Sequence, residues 1–598
     1  SKCSYCPIVD FIEVWMVKLW HYLLVFCVAF SCFINTLNHD FVLDDKAIIT
    51  QNQFTQKGFE GITDHFAHSY WYGLNGKDQG NYRPLSGASF SIEQGLFGNT
   101  PLPFHLLNIL FYSLLCVVLL KWLEQLGFFK PLWAVIAVLL FAAHPLHSEV
   151  VANIKSRDEI YAFIFVVLSF IAFTNSLRKQ NKPLLILSGV LFLASLLSKE
   201  TTLSLLPVFL ILAIAEKNDR QTSIFSLSIP FAVTIIYLVI YLGVTDILLD
   251  QEYHLFDNSL TQEASGLSLF LSKIAILGRY LGLMLIPYPL RYDYSFNTIP
   301  LSDIGDPFLW LGIMVIIGAL LLTYISLRGI SAEKRTKILL FLGICTLPLI
   351  PVSNFLFLIG STMAERFMFI PSFGVICILL LSFDVPSVNK LPKSVPMVIG
   401  GSLIILLGVL TLNRNKAWSS DEDLFANDLK VLSNNAKAHH NLANIYERHG
   451  NEAADEATKR TYYEGAISLI EKAETIHPVP EFYKQLGGLY GNVQRWDGSI
   501  KALNSYLELF PNEVAVLNQL GMAYGISGDL NSAQKVFKRS FELNPNDVQV
   551  CINLGKTYGM LGDYNNSLRI LEKALILEPG NAEASRAYQT TQQIVGGL

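Results

Sequence analysis

Long apolar runs follow one another through the first part of this chain, and each needs a bilayer or a buried core. A helix that spans a membrane takes about 20 mostly apolar residues. With 52% hydrophobic and 16% charged residues among 598, the chain is too apolar for one soluble protein and too long for one domain. The pattern predicts an all-α, multi-span membrane domain over residues 1–415, with apolar runs near residues 17–35, 102–121, 131–147, 158–175, 183–198, 201–215, 223–243, 267–287, 307–328, 337–358, 366–384 and 396–413.

The orientation of these runs follows from the basic residues in the short loops, which favour the cytoplasmic side. The basic clusters are Lys121 with Lys130, Arg178 with Lys179 and Lys182, Lys217 with Arg220, Arg328 with Lys334, Arg335 and Lys337, and Lys390 with Lys393. Placing them inside puts residues 36–101, 144–158 and 198–200 together on the outer face. It also requires an even number of crossings between 220 and 328, so we interpret 267–287 as a segment that does not fully cross. The prediction is eleven spans rather than twelve, a retained first anchor, an inner N-terminus and an outer C-terminus.

Charge and cysteine content exclude some classes of function. The net charge of -5 gives no reason to expect a nucleic-acid partner. Five of the eight cysteines lie within apolar runs, so no disulfide framework is expected. Cys3 and Cys6 form a single CxxC, which without a second ligand pair is weak support for zinc.

A 34-residue repeat begins after the last apolar run. Leu486-Gly487, Leu520-Gly521 and Leu554-Gly555 are 34 residues apart, and the same spacing separates Tyr490, Tyr524 and Tyr558, and Pro511, Pro545 and Pro579. This period, with a small residue in the second helix of each unit, resembles the tetratricopeptide repeat. The sequence therefore predicts a soluble α-solenoid over residues 420–598, with about four helical hairpins stacked around a groove.

Polar residues that could carry chemistry concentrate in the segments predicted to be outside. Charged groups at membrane depth are costly, by ~2.5–3.5 kcal/mol, so those that persist usually face a cavity. The cationic or hydrogen-bond-donating residues suit a phosphate at the membrane surface; they are Arg83, His144, His147, Arg157, Lys199 and Arg366. Asp44 and Asp45 are a candidate base and its neighbour, since two adjacent carboxylates repel and one pKa is expected to rise. The alternative is that this acidic pair caps a helix or is simply solvated.

The order of the short motifs resembles a known family. An anchor, an acidic pair, Arg-Pro-Leu, His-Pro-x-His-x-Glu followed by Arg-Asp, Ser-Lys-Glu, Asp-Tyr-Ser, Ala-Glu-Arg with Pro-Ser and then the repeats occur between about Asp40 and Pro579. This order is similar to that of the transmembrane and tetratricopeptide-repeat O-mannosyltransferases, relatives of the protein O-mannosyltransferases with the GT-C membrane fold. The resemblance implies transfer of a sugar, typically mannose, from a polyprenyl-phosphate carrier to Ser or Thr hydroxyls, with inversion at the anomeric carbon.

The resemblance also implies roles for individual residues. Asp44 corresponds to the general base with Asp45 beside it, and either carboxylate could act. The positions expected near the carrier phosphate or the sugar are Arg83, His144, His147, Arg157 and Lys199. Glu149, Asp158, Glu200, Asp293 and Arg366 match motif positions that line or support the pocket.

No cofactor or metal is required by this chemistry, although a divalent ion at the acidic pair is an alternative to the metal-free site. The expected partners are membrane lipid, the lipid-linked sugar and an acceptor protein in the repeat groove. A bacterial inner membrane is favoured, or the endoplasmic reticulum in a eukaryote, with the repeats on the outer or lumenal side. Two other hypotheses stay open: a GT-C transferase with another lipid-linked sugar or a glycolipid acceptor, and a non-enzymatic scaffold that recruits proteins through its repeats.

Overall fold

The computed structural model describes residues 7–77, 80–216, 220–245, 256–261, 265–295, 298–328, 331–383, 392 and 394–597. Within these ranges the chain is built from helices joined by turns and loops, and no strand is present. The chain divides into two compact units, residues 1–431 and 432–598. The predicted all-α architecture is confirmed. Some residues used in the sequence argument lie outside the described ranges, namely Cys3, Cys6, Lys217, Lys390 and Lys393.

The first unit contains the apolar helices, and each predicted run coincides with one of them. The helices are Pro7–Phe33, Pro101–Leu126, Pro131–Ala142, Arg157–Lys179, Lys182–Ser198, Leu206–Ala215, Arg220–Val244, Gly266–Leu285, Pro307–Leu327, Ala332–Thr346, Phe369–Ser382, Ser394–Asn415 and the more polar Asp421–Leu429. In the described part of the chain, seven helical stretches are long and apolar enough to cross a membrane, and an eighth is the pair Pro131–Ala142 and Pro145–Val151, bent by 49°. These helices fit a multi-pass membrane protein.

Two apolar runs differ from the sequence interpretation. The run predicted over 337–358 is wrong in extent: the helix Ala332–Thr346 gives way to a 3-10 turn, Leu347–Leu349, and then to turns. Pro348 and Pro351 explain this end, because proline cannot donate the backbone hydrogen bond that an α-helix needs. The run 267–287 forms the continuous 20-residue helix Gly266–Leu285, whose length and composition suffice for a crossing. The number of spans stays a prediction.

A compact polar layer follows the first apolar helix. It contains the short helices Lys46–Thr50, Gln53–Gln56, Gly58–Gly61, Ile62–Ala67 and Tyr72–Asn75, and then the longer Pro84–Phe97. Its own small core includes Phe41, Ile48, Tyr70 and Phe90, which pack with Phe104 and Ile154 from the membrane helices. This core fixes the acidic segment 42–45 against the turn that precedes the helix Arg157–Lys179.

The second unit consists, in its described residues 432–597, of four helical hairpins and a final helix. The hairpins are Ala436–Glu452 with Glu456–Ile476, Pro480–Asn492 with Trp496–Leu509, Val514–Ser527 with Leu530–Leu543, and Val548–Met560 with Tyr564–Leu577, followed by Ala582–Gly596. Pro511, Pro545 and Pro579 each follow the end of a second helix, where a helix cannot continue through proline.

The Leu-Gly pairs are explained by close packing between the two helices of a hairpin. A Cβ atom on Gly521 would lie 2.6 Å from the Phe537 ring, and one on Gly555 would lie 2.6 Å from Leu571. The small residue of the second helix also allows the two helices to lie close together, since the Ser499 hydroxyl donates to the Gly487 carbonyl at 2.7 Å. The repeat pattern in the sequence is therefore a pattern of tight helix contacts.

Candidate functional site

A network of buried charges joins several loops of the first unit. Arg83 donates from Nη1 to Asp158 Oδ2 at 2.6 Å and from Nε to Glu200 Oε2 at 2.9 Å. Lys199 Nζ lies 3.3 Å from Asp158 Oδ1 and 2.7 Å from Glu159 Oε1. The structure thus brings together groups from distant parts of the sequence, up to 117 residues apart for Arg83 and Glu200, all of them at helix ends.

Local structure explains why these groups lie at helix ends. Asp158 and Glu159 occupy the first turn of the helix Arg157–Lys179, where carboxylates are favoured by the helix dipole. Arg83 immediately precedes Pro84, which begins its helix at a position that proline favours. Lys199 is the extended residue between the helix that ends at Ser198 and the next turn. Each charged group therefore projects from a rigid helix terminus.

The acidic pair has two different environments. Asp45 is fully buried, and its carboxylate accepts from the backbone N–H of Lys155 at 2.6 Å and from that of Val42 at 3.2 Å. The Asp44 side chain is 49% exposed and lies 3.4 Å from Lys155 Nζ. Burial raises the pKa of Asp45 to about 7, although the backbone N–H donors oppose the shift. Asp44 is therefore the carboxylate that a ligand can reach, and Asp45 fastens the loop.

Lys155, Trp71 and Tyr70 belong to this site but were not among the predicted site residues. Lys155 is 6% exposed and its ammonium lies 5.9 Å from the centre of the Trp71 ring. Tyr70 is 2% exposed and its hydroxyl has no hydrogen-bond partner among the described residues. The signal that could have found Lys155 is its place in "ANIKSRDE", two residues before Arg157 and three before Asp158, both of which were predicted site residues.

Arg366, which was predicted only to line or support the pocket, is paired with Glu149 and lies within electrostatic range of Asp44. Glu149 holds it twice, by accepting from its backbone N–H at 2.8 Å and by an ion pair with its guanidinium. Asp44 is close enough to act on Arg366 electrostatically. The neighbouring Glu365 is buried, and burial raises its pKa to about 8. Lys155 thus pairs with the exposed carboxylate and Arg366 lies within electrostatic range of it, while Arg83 and Lys199 are each paired with two other carboxylates.

Two predicted phosphate-binding residues are enclosed by the protein. All three side-chain nitrogen atoms of Arg157 have acceptors, namely Asn108 Oδ1, Glu93 and the Phe104 carbonyl oxygen. His147 lies between the Tyr112 hydroxyl at 2.9 Å and the Ser372 hydroxyl at 3.0 Å. Both side chains are 0% exposed. Both side chains are held by groups of the protein itself, and their role near the carrier phosphate or the sugar stays a prediction.

His144 and Asp293 hydrogen-bond to groups other than Asp44. His144 Nε2 is 3.0 Å from the Met284 carbonyl oxygen, and its Nδ1 accepts from the Leu146 N–H. Asp293 accepts from the backbone N–H of Ser295 at 3.1 Å, within its own turn.

His144 lines an apolar cavity of about 400 Å³ between membrane helices. The lining comes from the helices Pro131–Ala142, Gly266–Leu285, Phe369–Ser382 and Ser394–Asn415, and includes Trp133, Ile136, Met284, Gly400 and Leu403. Among the described residues that line it, His144 is the one that is ionisable. It precedes the turn that carries Glu149, the partner of Arg366. The cavity is therefore connected by one short segment of chain to the charged site.

Among the described residues, no group of three or more His, Cys, Asp and Glu side chains is placed to hold a metal ion. The expectation of metal-free chemistry, and the alternative of a divalent ion at the acidic pair, stay predictions.

Comparison with known proteins agrees with the motif order. The tetratricopeptide repeat family matches residues 514–547 and 548–581. The chain is 28% identical over 498 residues to protein O-mannosyl-transferase TMTC4 from Homo sapiens, an alignment that covers 73% of this chain and 65% of that protein. It is 25% identical over 506 residues to TMTC3 from Homo sapiens, covering 79% of this chain and 53% of that protein.

The resemblance predicted from the motifs is confirmed. A third TMTC protein, TMTC1 from Homo sapiens, is 27% identical over 463 residues, covering 70% of this chain and 52% of that protein. The chain spans less than two thirds of the length of these TMTC relatives. Among solved structures, the chain is similar to YrrB, a TPR protein with an unusual peptide-binding site, at 22% identity and a TM-score of 0.25, covering 31% of this chain and 87% of that one. It is also similar to MamA at 20% identity and a TM-score of 0.24, covering 27% and 90%.

Proposed function

We propose that the protein is an inverting glycosyltransferase that moves a sugar, mannose by analogy with the TMTC proteins, from a polyprenyl-phosphate carrier to Ser or Thr hydroxyls of an acceptor protein. The TMTC relatives are named protein O-mannosyl-transferases, and the chain is 25–28% identical to two of them over about 500 residues. The proposal includes the GT-C fold for the membrane unit and a site at the outer or lumenal surface, in a bacterial inner membrane or in the endoplasmic reticulum.

One observation carries this proposal: Asp44 is a half-exposed carboxylate beside a network of buried charges. Its side chain is 49% exposed, whereas Asp45, Asp158 and Glu159 are buried and already hydrogen-bonded or ion-paired. A hydroxyl that attacks an anomeric carbon needs a base within hydrogen-bond reach, and Asp44 is accessible for that role. The buried network holds the base in place without competing for the acceptor.

The proposed reaction balances with these groups alone. The acceptor oxygen forms a bond to the anomeric carbon as the bond from that carbon to the phosphate oxygen breaks, and the hydroxyl proton passes to Asp44. The leaving polyprenyl phosphate gains negative charge, which fixed cations stabilise more strongly in the transition state than in the ground state. Lys155 is ion-paired with Asp44, and Arg366 lies within electrostatic range of it. An oxocarbenium-like transition state is also favoured by a nearby carboxylate.

The apolar cavity supports a lipid-linked donor. A long isoprenoid chain is wholly apolar, and the lining of the cavity is apolar apart from His144. We place the carrier's chain there, with its phosphate toward the ion pair between Glu149, on the short helix Ser148–Val151, and Arg366, on the 3-10 turn Glu365–Met368. In this arrangement the bilayer supplies the donor directly to the cavity.

The repeats give the acceptor a binding surface in this proposal. Tetratricopeptide arrays present an extended face suited to a polypeptide, and holding the acceptor on the same chain would raise its effective concentration at the membrane site. The resemblance to the TMTC proteins, which are named as acting on proteins, supports a protein acceptor over a glycolipid.

The test is transfer by the purified full-length chain. Incubation with polyprenyl-phosphate mannose and Ser/Thr-containing peptides should give a hexose mass shift on the peptide, and Asp44→Asn should reduce the rate by about 10²–10⁴-fold, the usual contribution of a general base. Asp64→Asn, which removes an acid paired with Lys57 on the surface, is the matched control and should retain activity.

The other hypotheses give different results. Transfer that occurs only from another lipid-linked sugar or only to a glycolipid would favour a different GT-C enzyme. Peptide binding without transfer from any such donor would favour the scaffold. Full activity of Asp44→Asn would remove Asp44 from the role of base.

A further inference from the structure

We propose that Lys155 binds the phosphate of the incoming substrate and that, in doing so, it exchanges Asp44 for phosphate as its ionic partner. This inference rests on the proposed function and extends it, since it assigns the phosphate to a residue outside the predicted set. It also implies an order of events: the base is freed from its ion pair when the phosphate arrives.

The first support is a comparison of the cations in the site. Arg83 has two carboxylate partners, Asp158 and Glu200, and Lys199 likewise has Asp158 and Glu159. A phosphate would have to displace Asp158 or Glu159 to reach either of them, which is costly because it would leave a buried carboxylate unpaired. These two cations therefore serve to compensate the buried acids.

Lys155 differs because its ion-pair partner is exposed. The distance from its Nζ to Asp44 Oδ2 is 3.4 Å, and Asp44 is half-exposed. An ammonium group has three donors, and this contact uses one. If a phosphate displaced Asp44 from Lys155, the aspartate would remain accessible to water or to the acceptor hydroxyl. The exchange therefore leaves no buried charge without a partner.

The surroundings of Lys155 suit a phosphate group, because further cations and a hydrogen-bond donor lie near it. Arg83 and Arg366 are both close enough to act on Lys155 electrostatically, together with Asp44 and Asp158. The buried Tyr70 hydroxyl, which has no partner in the described part of the chain, lies within electrostatic range of Asp44 and Arg83. Burial raises the pKa of Tyr70 well above its ordinary value, so the phenol keeps its proton and can donate a hydrogen bond.

Asp45 keeps Lys155 in position for this exchange. Its buried carboxylate accepts the Lys155 backbone N–H at 2.6 Å, so the lysine backbone is fixed to the same loop that carries Asp44. The Trp71 ring lies under the ammonium at 5.9 Å, a favourable contact for a cation. The lysine head can therefore change partner while its backbone stays fixed.

The test is binding of farnesyl phosphate, a short polyprenyl monophosphate, to the purified full-length chain in detergent, with farnesol and inorganic phosphate as separate arms. The wild type should bind farnesyl phosphate more tightly than either. Lys155→Gln should weaken that binding by about 10- to 100-fold, the range for a lost hydrogen bond to a charged group, and Lys155→Arg should restore most of it. Lys46→Gln removes a nearby cation that pairs with Asp421, and it should change the affinity by less than about twofold.

The decisive variant is Asp44→Asn. Because it removes the group that competes with phosphate for Lys155, it should bind farnesyl phosphate at least as tightly as the wild type, although it cannot transfer sugar. Weaker binding by Asp44→Asn, to the level of Lys155→Gln, would show that the pair is structural and would overturn the exchange. Unchanged binding by Lys155→Gln would overturn the assignment of the phosphate. Inorganic phosphate that binds as tightly as farnesyl phosphate would overturn the link to a lipid carrier.

The binding test and the transfer test can fail separately. If the binding pattern holds but no sugar is transferred, the phosphate site stands and the proposed function fails. If sugar is transferred but Lys155→Gln binds the donor normally, the proposed function stands and this inference fails.

Discussion

The carboxylate of Asp45 and the backbone N–H of Lys155 are joined by a 2.6 Å hydrogen bond across 110 residues of sequence. This bond ties the loop after the first apolar helix to the turn before the helix Arg157–Lys179. The two adjacent acids therefore have different roles. Asp45 is buried and hydrogen-bonded to backbone N–H groups, whereas Asp44 is left half-exposed.

The Asp45→Asn variant should change the pH dependence of stability. The pKa of Asp45 is raised from an ordinary value near 3.8 to about 7. Burial is the main cause and the Asp44 charge acts in the same direction, whereas the backbone N–H donors of Val42, Ile154 and Lys155 oppose the shift. Between pH 4 and 7 the unfolded chain has lost this proton and the folded protein has kept it. Stability from this group is therefore complete below about pH 4 and falls as the pH rises to about 7. The unfolding temperature of Asp45→Asn minus that of the wild type should rise over this window and stay constant above it. The same slope in Asp64→Asn would contradict the assignment to Asp45.

Replacing Arg157 should lower stability rather than donor affinity. Arg157 is fully buried and ion-paired with Glu93, so Arg157→Met leaves an uncompensated buried acid and should cost about 3–5 kcal/mol in free energy of unfolding. The double variant Arg157→Met with Glu93→Met should recover part of that loss in thermal unfolding. Lys57→Met, which breaks an exposed pair with Asp64, is the control and should cost less than about 1 kcal/mol. A higher KM for the donor with an unchanged free energy of unfolding would indicate that Arg157 binds the donor.

Filling the apolar cavity should affect long-chain donors selectively. Gly400 lines the cavity, and a Cβ there would lie 3.4 Å from Ile136. Gly400→Leu should therefore raise the KM for a long polyprenyl-phosphate sugar by about tenfold or more, because burial of several methylene groups worth ~0.8 kcal/mol each is lost. A farnesyl-linked donor should lose less. Gly401→Leu is the matched control, since a Cβ there meets no atom within 4 Å. Equal loss for both donor lengths would argue against an isoprenoid in the cavity.

The repeats offer a test of the packing that produces the Leu-Gly pattern. Gly521→Val would place its side chain against the Phe537 ring, and overpacking of this kind costs about 1–3 kcal/mol. Hydrogen exchange in residues 514–547 of the full-length chain should become faster. Gly525→Ala is the control, because its nearest contact is Ala533 Cβ at 3.9 Å and alanine favours a helix. Unchanged exchange in Gly521→Val would mean that the hairpin has room for the larger side chain.

The sequence by itself determined the helical architecture of this protein, because membrane runs and the 34-residue repeat are local patterns of apolar and small residues. It also indicated which loops carry the charged groups. It did not separate Asp44 from Asp45, and it did not show that Arg157 and His147 are enclosed by the protein.

Only the tertiary structure decided these points, because burial and ion pairing depend on residues far away in the chain. Arg83 and Lys199 look like free cations in the sequence, but each meets two carboxylates in the fold. Lys155 looks ordinary in the sequence, but Asp45 brings it to Asp44. Residue type fixes which charges exist. The fold fixes which of them compensate one another and which are left for a ligand.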